Sequence, residues 1–388
     1  MAYQVKTTTS YGKRVGGSFK NIISGFVVIV IGTVLLFWNE GRTVKTAKML
    51  KHAAKECVHI PDVNTVDPSF NGKMIHANGL ATTDQVLTDT YFGVFTPAIK
   101  LIREVEYYQW VENATTETKD KIGGKQETTT TYTYSKEWVS SPVDSQSFAD
   151  PDYQGRNSVR ENIPDQELVA SNVSFGAYTL PSSLVSQMHL EEPMNVEGNE
   201  DFAVVKKAAA DSLCHVRGNQ VYIGKNVNSP EIGDVRVRFT KVMPAEVSIL
   251  ARNVNNTFEP YTDKNGYSLC TLVTGTESMD AMFQSKKSSN KTMSWVLRIL
   301  GIILLYIGFK MIFEFLVTIL KVLPFLASIA NLGTSIAAFA LTFVWALVVI
   351  AIGWLFYRPV LGILLLALAG AGIWYFTKKG KEKAAQEA

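Results

Sequence analysis

Lys310 and Glu314 stand four residues apart in an otherwise apolar run, Ile299 to Ile319. On a helix that spacing puts both on one face, where they can pair. A charge inside a membrane segment marks a functional site by default. The plainer role for Lys310 is to carry its ammonium to the interface on its alkyl stem. Other reactive residue types offer less. The five histidines, His52, His59, His76, His189 and His215, are scattered, and none stands at metal-ligating spacing from a second ligand type. Cys214 and His215 are adjacent, and neighbours on a strand point to opposite faces. The acidic cluster Glu191, Glu192, Glu197, Glu200 and Asp201 reads as a solvated loop rather than an ion site. No nucleophile elbow, zinc-protease, phosphate-loop or dinucleotide glycine pattern occurs. The expectation is therefore no catalytic, metal or cofactor site, and no enzyme. A net charge of +3 leaves no nucleic-acid footprint. Three cysteines, Cys57, Cys214 and Cys270, cannot all pair, although one pair can bridge.

The elements that must carry these residues emerge from the segregation of charge. The 388 residues are 47% hydrophobic and 19% charged, but Val322 to Tyr357 contains no Asp, Glu, Lys or Arg. Asn21 to Trp38 is an uncharged run of 18 residues, enough to cross a hydrocarbon core of about 30 Å. Its length, and the bulk of Leu36-Phe37-Trp38, argue against a cleaved signal peptide. Three more spans are expected at about 299–319, 335–354 and 360–377. Pro324, Asn331 and Gly333 break the long uncharged run and make 322–331 an interfacial or re-entrant piece. Tyr357-Arg358-Pro359 is the polar turn between the last two spans. A cytosolic tail, 1–20, and a basic cytosolic tail, 378–388, complete the layout. Lys13, Arg14, Lys20 and the C-terminal lysines favour the cytosol for both termini.

Residues 39–293 form a large extramembrane domain, lumenal or periplasmic. It begins with a basic amphipathic helix on which Val44, Ala47, Leu50, Ala54 and Val58 make an apolar stripe and Lys45 lies off it. That helix is expected to continue the first span along the lipid surface. Beyond Gly72 the pattern becomes strand-like. Leu101, Val105, Tyr107, Gln109 and Val111 share one face, with Arg103 the exception on it. Tyr132, Tyr134 and Trp138 alternate with polar residues, and Gly123-Gly124 joins the two runs into a long hairpin whose Thr128–Thr131 edge should be exposed. Val235, Val237 and Phe239 mark another strand, and Asn265-Gly266 a tight turn. A short helix from Ser278 leads into the second span, and Asp150 to Gln166 reads as a loop or subdomain boundary. The fold class is thus an α+β membrane protein: four transmembrane helices, with a β-rich domain inserted between the first and second. Sequons stand at Asn113, Asn172, Asn255 and Asn290, and matter only in a eukaryotic secretory lumen.

Several short stretches, in order along the chain, resemble the LUMA (transmembrane protein 43) family. They are Asn39-Glu40-Gly41-Arg42 with Lys45-Thr46-Ala47, Gly93-Val94 with Pro97 to Leu101, and Tyr108 to Glu112. Glu137-Trp138, Glu231 to Val237, and Gly353 to Pro359 follow. The acidic stretch near Glu191 and the 150–166 loop match poorly. The resemblance implies the four-span layout with the large domain in the lumen of the endoplasmic reticulum or nuclear envelope. It also implies a homo-oligomeric scaffold of the inner nuclear membrane that binds emerin and lamins, with ion conductance also proposed for the family. Similar proteins occur in bacteria, where the domain would face the periplasm from the inner membrane and the nuclear partners cannot apply.

Physical roles follow for the matching residues. Glu40 and Arg42 stand where the first helix leaves the lipid, and an ion pair there can fix its exit. Arg358 can bind a lipid phosphate or cap helix carbonyls. Trp110 and Trp138 lie on the two hairpin strands and are candidates for packing the domain. The leading expectation is a non-enzymatic scaffold that partners itself, lipid and other membrane proteins. The alternatives are a channel or channel subunit, with Lys310 and Glu314 lining an aqueous path, and a stress or ligand sensor.

Overall fold

The computed structural model describes residues 2–197, 213–360 and 362–363. They divide into two units, one comprising 1–6, 52–117 and 129–283, the other 7–51, 118–128 and 284–388. Among the described residues, three helices are long and apolar enough to cross a membrane: α1 (Tyr11–Glu56), α2 (Met279–Leu320) and α3 (Pro324–Tyr357). The β-rich domain lies between α1 and α2, as expected. The expected fourth span at 360–377, the tail 378–388 and the acidic residues Glu200 and Asp201 lie outside the described residues, apart from 360, 362 and 363.

Each helix outruns the apolar stretch that announces it. At 1.5 Å per residue, the 46 residues of α1 extend about 69 Å, more than twice a hydrocarbon core. The Lys-, Ala-, Met- and Leu-rich stretch after Trp38 propagates a helix well, so the expected surface helix is an unbroken continuation of the span. Its buried apolar side chains are Val44, Met49, Leu50 and Ala53, whereas Ala47 is exposed. The expected short helix at Ser278 is likewise the start of the 42-residue α2, and its Met282 and Phe283 are buried. The expected break at 322–331 is absent. Only Lys321 to Leu323 separate α2 from α3, which starts on Pro324 and runs through Asn331 and Gly333. A proline in the first turn loses no helical hydrogen bond, and one interior glycine costs only about 1 kcal/mol.

Among its described residues the first unit is β-rich, with three short helical turns, Pro68–Phe70, Ser145–Ser147 and Ser182–Val185, besides the helix ends 52–56 and 279–283. Six strands organise it: β1 (Tyr3–Thr9), β2 (Met74–Thr82), β3 (Lys100–Asp120), β4 (Gln126–Val139), β5 (Val235–Val242) and β6 (Ala245–Val254). One sheet runs β1-β4-β3-β5 and on to Gln220–Ile223 and Cys214–Arg217. In the other, the path from β6 through Thr257–Glu259, Tyr178–Leu180 and Val173–Phe175 to β2 returns to β6, which pairs β2 antiparallel. Five strands therefore close on themselves, leaving β6 buried on both faces from Val247 to Ala251. The core includes Val105, Tyr107, Val235, Val237, Phe239, Val247 and Ile249.

Two local expectations are corrected, one of them in part, for physical reasons. The Thr128–Thr131 edge is half-buried because the N-terminal segment is not a bare tail; it forms β1 and pairs with β4. Gln4 Nε2 reaches Thr131 Oγ1 at 3.3 Å, and Tyr3 packs against Tyr132. Asp150 to Gln166 is a loop, as one half of its expectation had it, but not a boundary. It is fastened along β3 by side chains that stand in for a strand. Asp165 accepts from the Val105 amide at 2.7 Å. Asn157 accepts from the Trp110 amide at 2.8 Å and donates to the Trp110 carbonyl at 3.0 Å. The Tyr107 hydroxyl donates to the Ile163 carbonyl.

Candidate functional site

A cluster of buried polar groups lies between the helices of the second unit. Glu40 on α1 is fully buried. Its Oε1 accepts from both Nε and Nη2 of Arg298 on α2, each at 2.7 Å. Its Oε2 accepts from Trp354 Nε1 on α3 at 2.9 Å. One carboxylate thus joins three helices and satisfies both oxygens with charged or ring N–H donors, the condition under which a buried ion is tolerable. Around it, Asn39 Nδ2 donates to the Ser294 carbonyl and Asn290 Nδ2 to the Thr43 carbonyl, each at 3.0 Å.

Small residues let the helices approach this node. A Cβ on Gly353 would stand 3.1 Å from the Glu40 Cβ and Cγ, and one on Gly41 would meet the Tyr357 ring at 2.7 Å. Seven-residue spacing repeats the device along α1 and α2. Gly25 faces Gly308 and Gly32 faces Gly301; a Cβ on Gly25 would stand 2.7 Å from the Gly308 carbonyl oxygen, and one on Gly32 3.2 Å from that of Gly301. Small residues at such crossings bring helix backbones into van der Waals contact where lipid supplies no hydrophobic drive. Ile29, Leu36, Leu305, Ala346 and Val349 form the apolar cluster beside them.

The sequence-derived candidates fare unequally. Glu40 is central, but its partner is Arg298, 258 residues away, rather than Arg42. Arg42 Nη2 instead makes long contacts, 3.5 Å each, to Asn39 Oδ1 and Thr43 Oγ1. Lys45 is half-buried on α1. Lys310 and Glu314 do not pair with each other. The Lys310 ammonium crosses to α3, donating to Asn331 Oδ1 at 2.7 Å and to Ser335 Oγ. Glu314 lies 3.5 Å from Asn21 Nδ2 and 4.0 Å from Lys321 Nζ. The i,i+4 pairing loses because α3 offers Lys310 neutral oxygens across a close interface. Arg358 ends α3: its amide donates to the Trp354 carbonyl at 2.7 Å, and its guanidinium lies 6.0 Å from the Trp354 ring.

Trp110 and Trp138 pack in separate aromatic groups of the first unit. Trp110 meets Tyr153 edge-on, with Lys136 over its ring. Trp138 meets Tyr108 and Tyr222, with Arg236 over its ring at 4.3 Å. All three cysteines are free thiols, and burial pushes Cys57 up to about 12 and also raises Cys270. Among the described residues, no group of three or more His, Cys, Asp or Glu can hold a metal ion.

Sequence reasoning missed Arg298, Asn290 and Ser294, whose roles depend on which helix faces which. It also missed two buried carboxylates of the first unit. Asp89 pairs with Arg103 at 2.6 Å, which explains the cation on the inward face of β3. Asp234 accepts from Arg160 Nε at 2.6 Å and from the Glu231 amide at 2.8 Å, and holds the turn before β5.

A protein-family model described as transmembrane protein 43 matches residues 107–359. Transmembrane protein 43 of Rattus norvegicus is 31% identical over 369 residues, covering 92% of this chain and 89% of its own length. Transmembrane protein 43 of Homo sapiens is 30% identical over 379 residues, covering 94% and 92%. A transmembrane protein 43 homolog of Drosophila melanogaster is 27% identical over 368 residues, covering 90% and 93%. These relatives are animal proteins, and the bacterial alternative is not borne out. No solved structure matches the chain.

Proposed function

Because the chain belongs to the transmembrane protein 43 family, we propose that it is a non-enzymatic multi-pass membrane scaffold, which gathers membrane partners through its β-rich domain and its spans. The observation that carries this reading is the Glu40 node. Both oxygens of its buried carboxylate are satisfied by N–H donors from two other helices. Such an arrangement builds a rigid platform, whereas a pore needs polar groups that face water. The finer layout is a fourth span at 360–377 and the domain in the lumen of the endoplasmic reticulum or nuclear envelope; the N-terminal segment, whose β1 pairs with β4 of that domain, does not fit the cytosolic placement expected for it. Self-association, retained lipid, and emerin and lamins as partners belong to the same reading and rest on the family resemblance.

Purification from native membrane in mild detergent, with quantification of what accompanies the protein, tests it. A stoichiometric protein partner supports the scaffold. Recovery with lipid and itself alone, together with ion flux through the reconstituted protein, overturns it in favour of a channel. One observation favours that second reading: Lys310 and Glu314 open onto a charged cavity within the second unit.

A further inference from the structure

Past their apolar stretches, α1 and α2 continue side by side as a two-helix stalk. Asn39 Nδ2 donates to the Ser294 carbonyl and Asn290 Nδ2 to the Thr43 carbonyl, so the helices run antiparallel at matched height. Trp38 on α1 and Trp295 on α2 therefore stand at one level, and they are 51% and 54% exposed. Exposed tryptophans sharing a level mark the boundary between hydrocarbon and headgroups. Beyond it, the segment from Trp38 to Lys51 rises about 20 Å.

This stalk is almost devoid of negative charge. Residues 39–51 and 284–298 hold one carboxylate, Glu40, and Arg298 neutralises it. Arg42 already has Asn39 and Thr43 as partners. That leaves Lys45, Lys48 and Lys51 on α1 and Lys286, Lys287 and Lys291 on α2, none of which makes an ion pair among the described residues. Lys48, Lys51, Lys287 and Lys291 are exposed, and Lys45 and Lys286 are half-buried. Lys291 stands one turn from Trp295 on the same face. Lys45 is about 10 Å of helix from Trp38, close to the screening length of about 8 Å at physiological salt. The lysines also point several ways. Lys286 and Lys287 diverge by about 100°, and the three on α1 spread over about 120°. Such a spread suits a surface that surrounds the helix pair better than one acidic partner docked on a side. On the outer face of α2 a groove of about 470 Å³ adds a second sign. Ser285, Ser288, Ser289 and Thr292 line its part away from the span, and Met293 and Val296 its part toward the span. Hydroxyls above apolar side chains follow the order of a phospholipid, headgroup above acyl chain.

We infer that the stalk is a docking surface for anionic phospholipid headgroups, which its six lysines gather around α1 and α2. The inference rests on the multi-pass reading and not on the scaffold role, since lipid preference and partner recovery are measured separately. The full-length protein is reconstituted into phosphatidylcholine vesicles containing either dibrominated phosphatidylserine or dibrominated phosphatidylcholine, and quenching of tryptophan fluorescence reads which lipid lies beside the helices. Phosphatidylserine should be favoured roughly fivefold at low salt, the worth of about one lysine at a charged surface. That preference should vanish at about 0.5 M salt. Lys48→Gln/Lys51→Gln/Lys287→Gln/Lys291→Gln should lower it at least about threefold. The four side chains are exposed and glutamine propagates a helix about as well as lysine, so the variant keeps its fold. The salt series on the unaltered protein keeps the test decisive if it does not. Equal quenching by the two lipids, a preference indifferent to salt, or one that survives in the folded variant overturns the proposal. So does labelled polyglutamate that binds the protein in pure phosphatidylcholine and is lost in the variant while phosphatidylserine is not preferred, for the stalk would then take an acidic polypeptide.

Discussion

Arg298 places two guanidinium nitrogens 2.7 Å from a single oxygen of Glu40, and Glu40 is wholly buried between helices. The second oxygen is taken by Trp354. The pair resembles a bolt through three helices rather than a surface ion pair, and its consequences differ accordingly.

Removing one partner strands a buried charge, which costs about 3–5 kcal/mol. Arg298→Ala should therefore lower the thermal midpoint of the detergent-solubilised protein far more than Lys48→Ala, a charge exposed on α1. The double variant Glu40→Leu/Arg298→Met should recover much of the loss, because an apolar pair leaves no charge unmatched. A double variant no more stable than Arg298→Ala would show that the node does not act as a pair.

The glycine pairs give a graded prediction. A Cβ at Gly25 meets the Gly308 carbonyl oxygen at 2.7 Å, and a Cβ at Gly32 meets the Gly301 carbonyl oxygen at 3.2 Å. Backbone cannot step aside as a side chain can, and overpacking costs about 1–3 kcal/mol. Gly25→Ala should destabilise the helix unit more than Gly32→Ala, and Gly16→Ala, with open space around it on α1, should be slightly stabilising because alanine propagates a helix better than glycine. Thermal unfolding of the three variants side by side checks the order; equal midpoints would refute close packing at Gly25.

What the sequence disclosed and what it withheld divide along physical lines. Alternation on β3 and β5, and the Gly-Gly turn, are local patterns, and the strands stand where they place them. Arg103 looked anomalous on its strand because its partner Asp89 lies on another segment. Charge runs located the spans but not the helix ends, since a helix does not stop where lipid does. Glu40 was singled out, yet Arg298 was not, because a bond across 258 residues leaves no periodicity. The same holds for Lys310, whose four-residue neighbour Glu314 suggested a pair that α3 pre-empts.

Two histidines make the domain sensitive to acid. His59 and His76 face each other in register on paired strands, with their Nδ1 atoms 2.9 Å apart. His76 Nε2 lies 3.0 Å from the Glu277 carbonyl, so Nε2 carries the proton and Nδ1 accepts from His59. Burial, opposed by that carbonyl and reinforced by His59, holds His76 below its ordinary value of 6.5. The folded state then binds a proton less readily than the unfolded chain. Stability is full above about pH 6.5 and declines as pH falls below it. His59→Gln removes the repulsion and should shrink the loss. Thermal midpoints at pH 7.5 and 5.5 decide it; the same acid loss with and without His59 would exclude the pair.

The sequons turn the proposed lumenal placement into a measurement. Asn255 sits exposed in the tight turn after β6, at a left-handed φ of 55°, with its side chain outside the ladder. Asn172 is exposed but held by Thr83 and Asp84. Asn290 is buried on α2 against the Thr43 carbonyl, where no transferase can reach it once folded. If the domain is lumenal, expression in mammalian cells followed by glycosidase digestion should yield a mobility shift that Asn255→Gln reduces and Asn290→Gln leaves unchanged. Asn172→Gln should have a smaller effect, since glycosylation there competes with two side-chain hydrogen bonds. A protein that carries no glycan, although Asn255 is exposed, would exclude the lumenal placement.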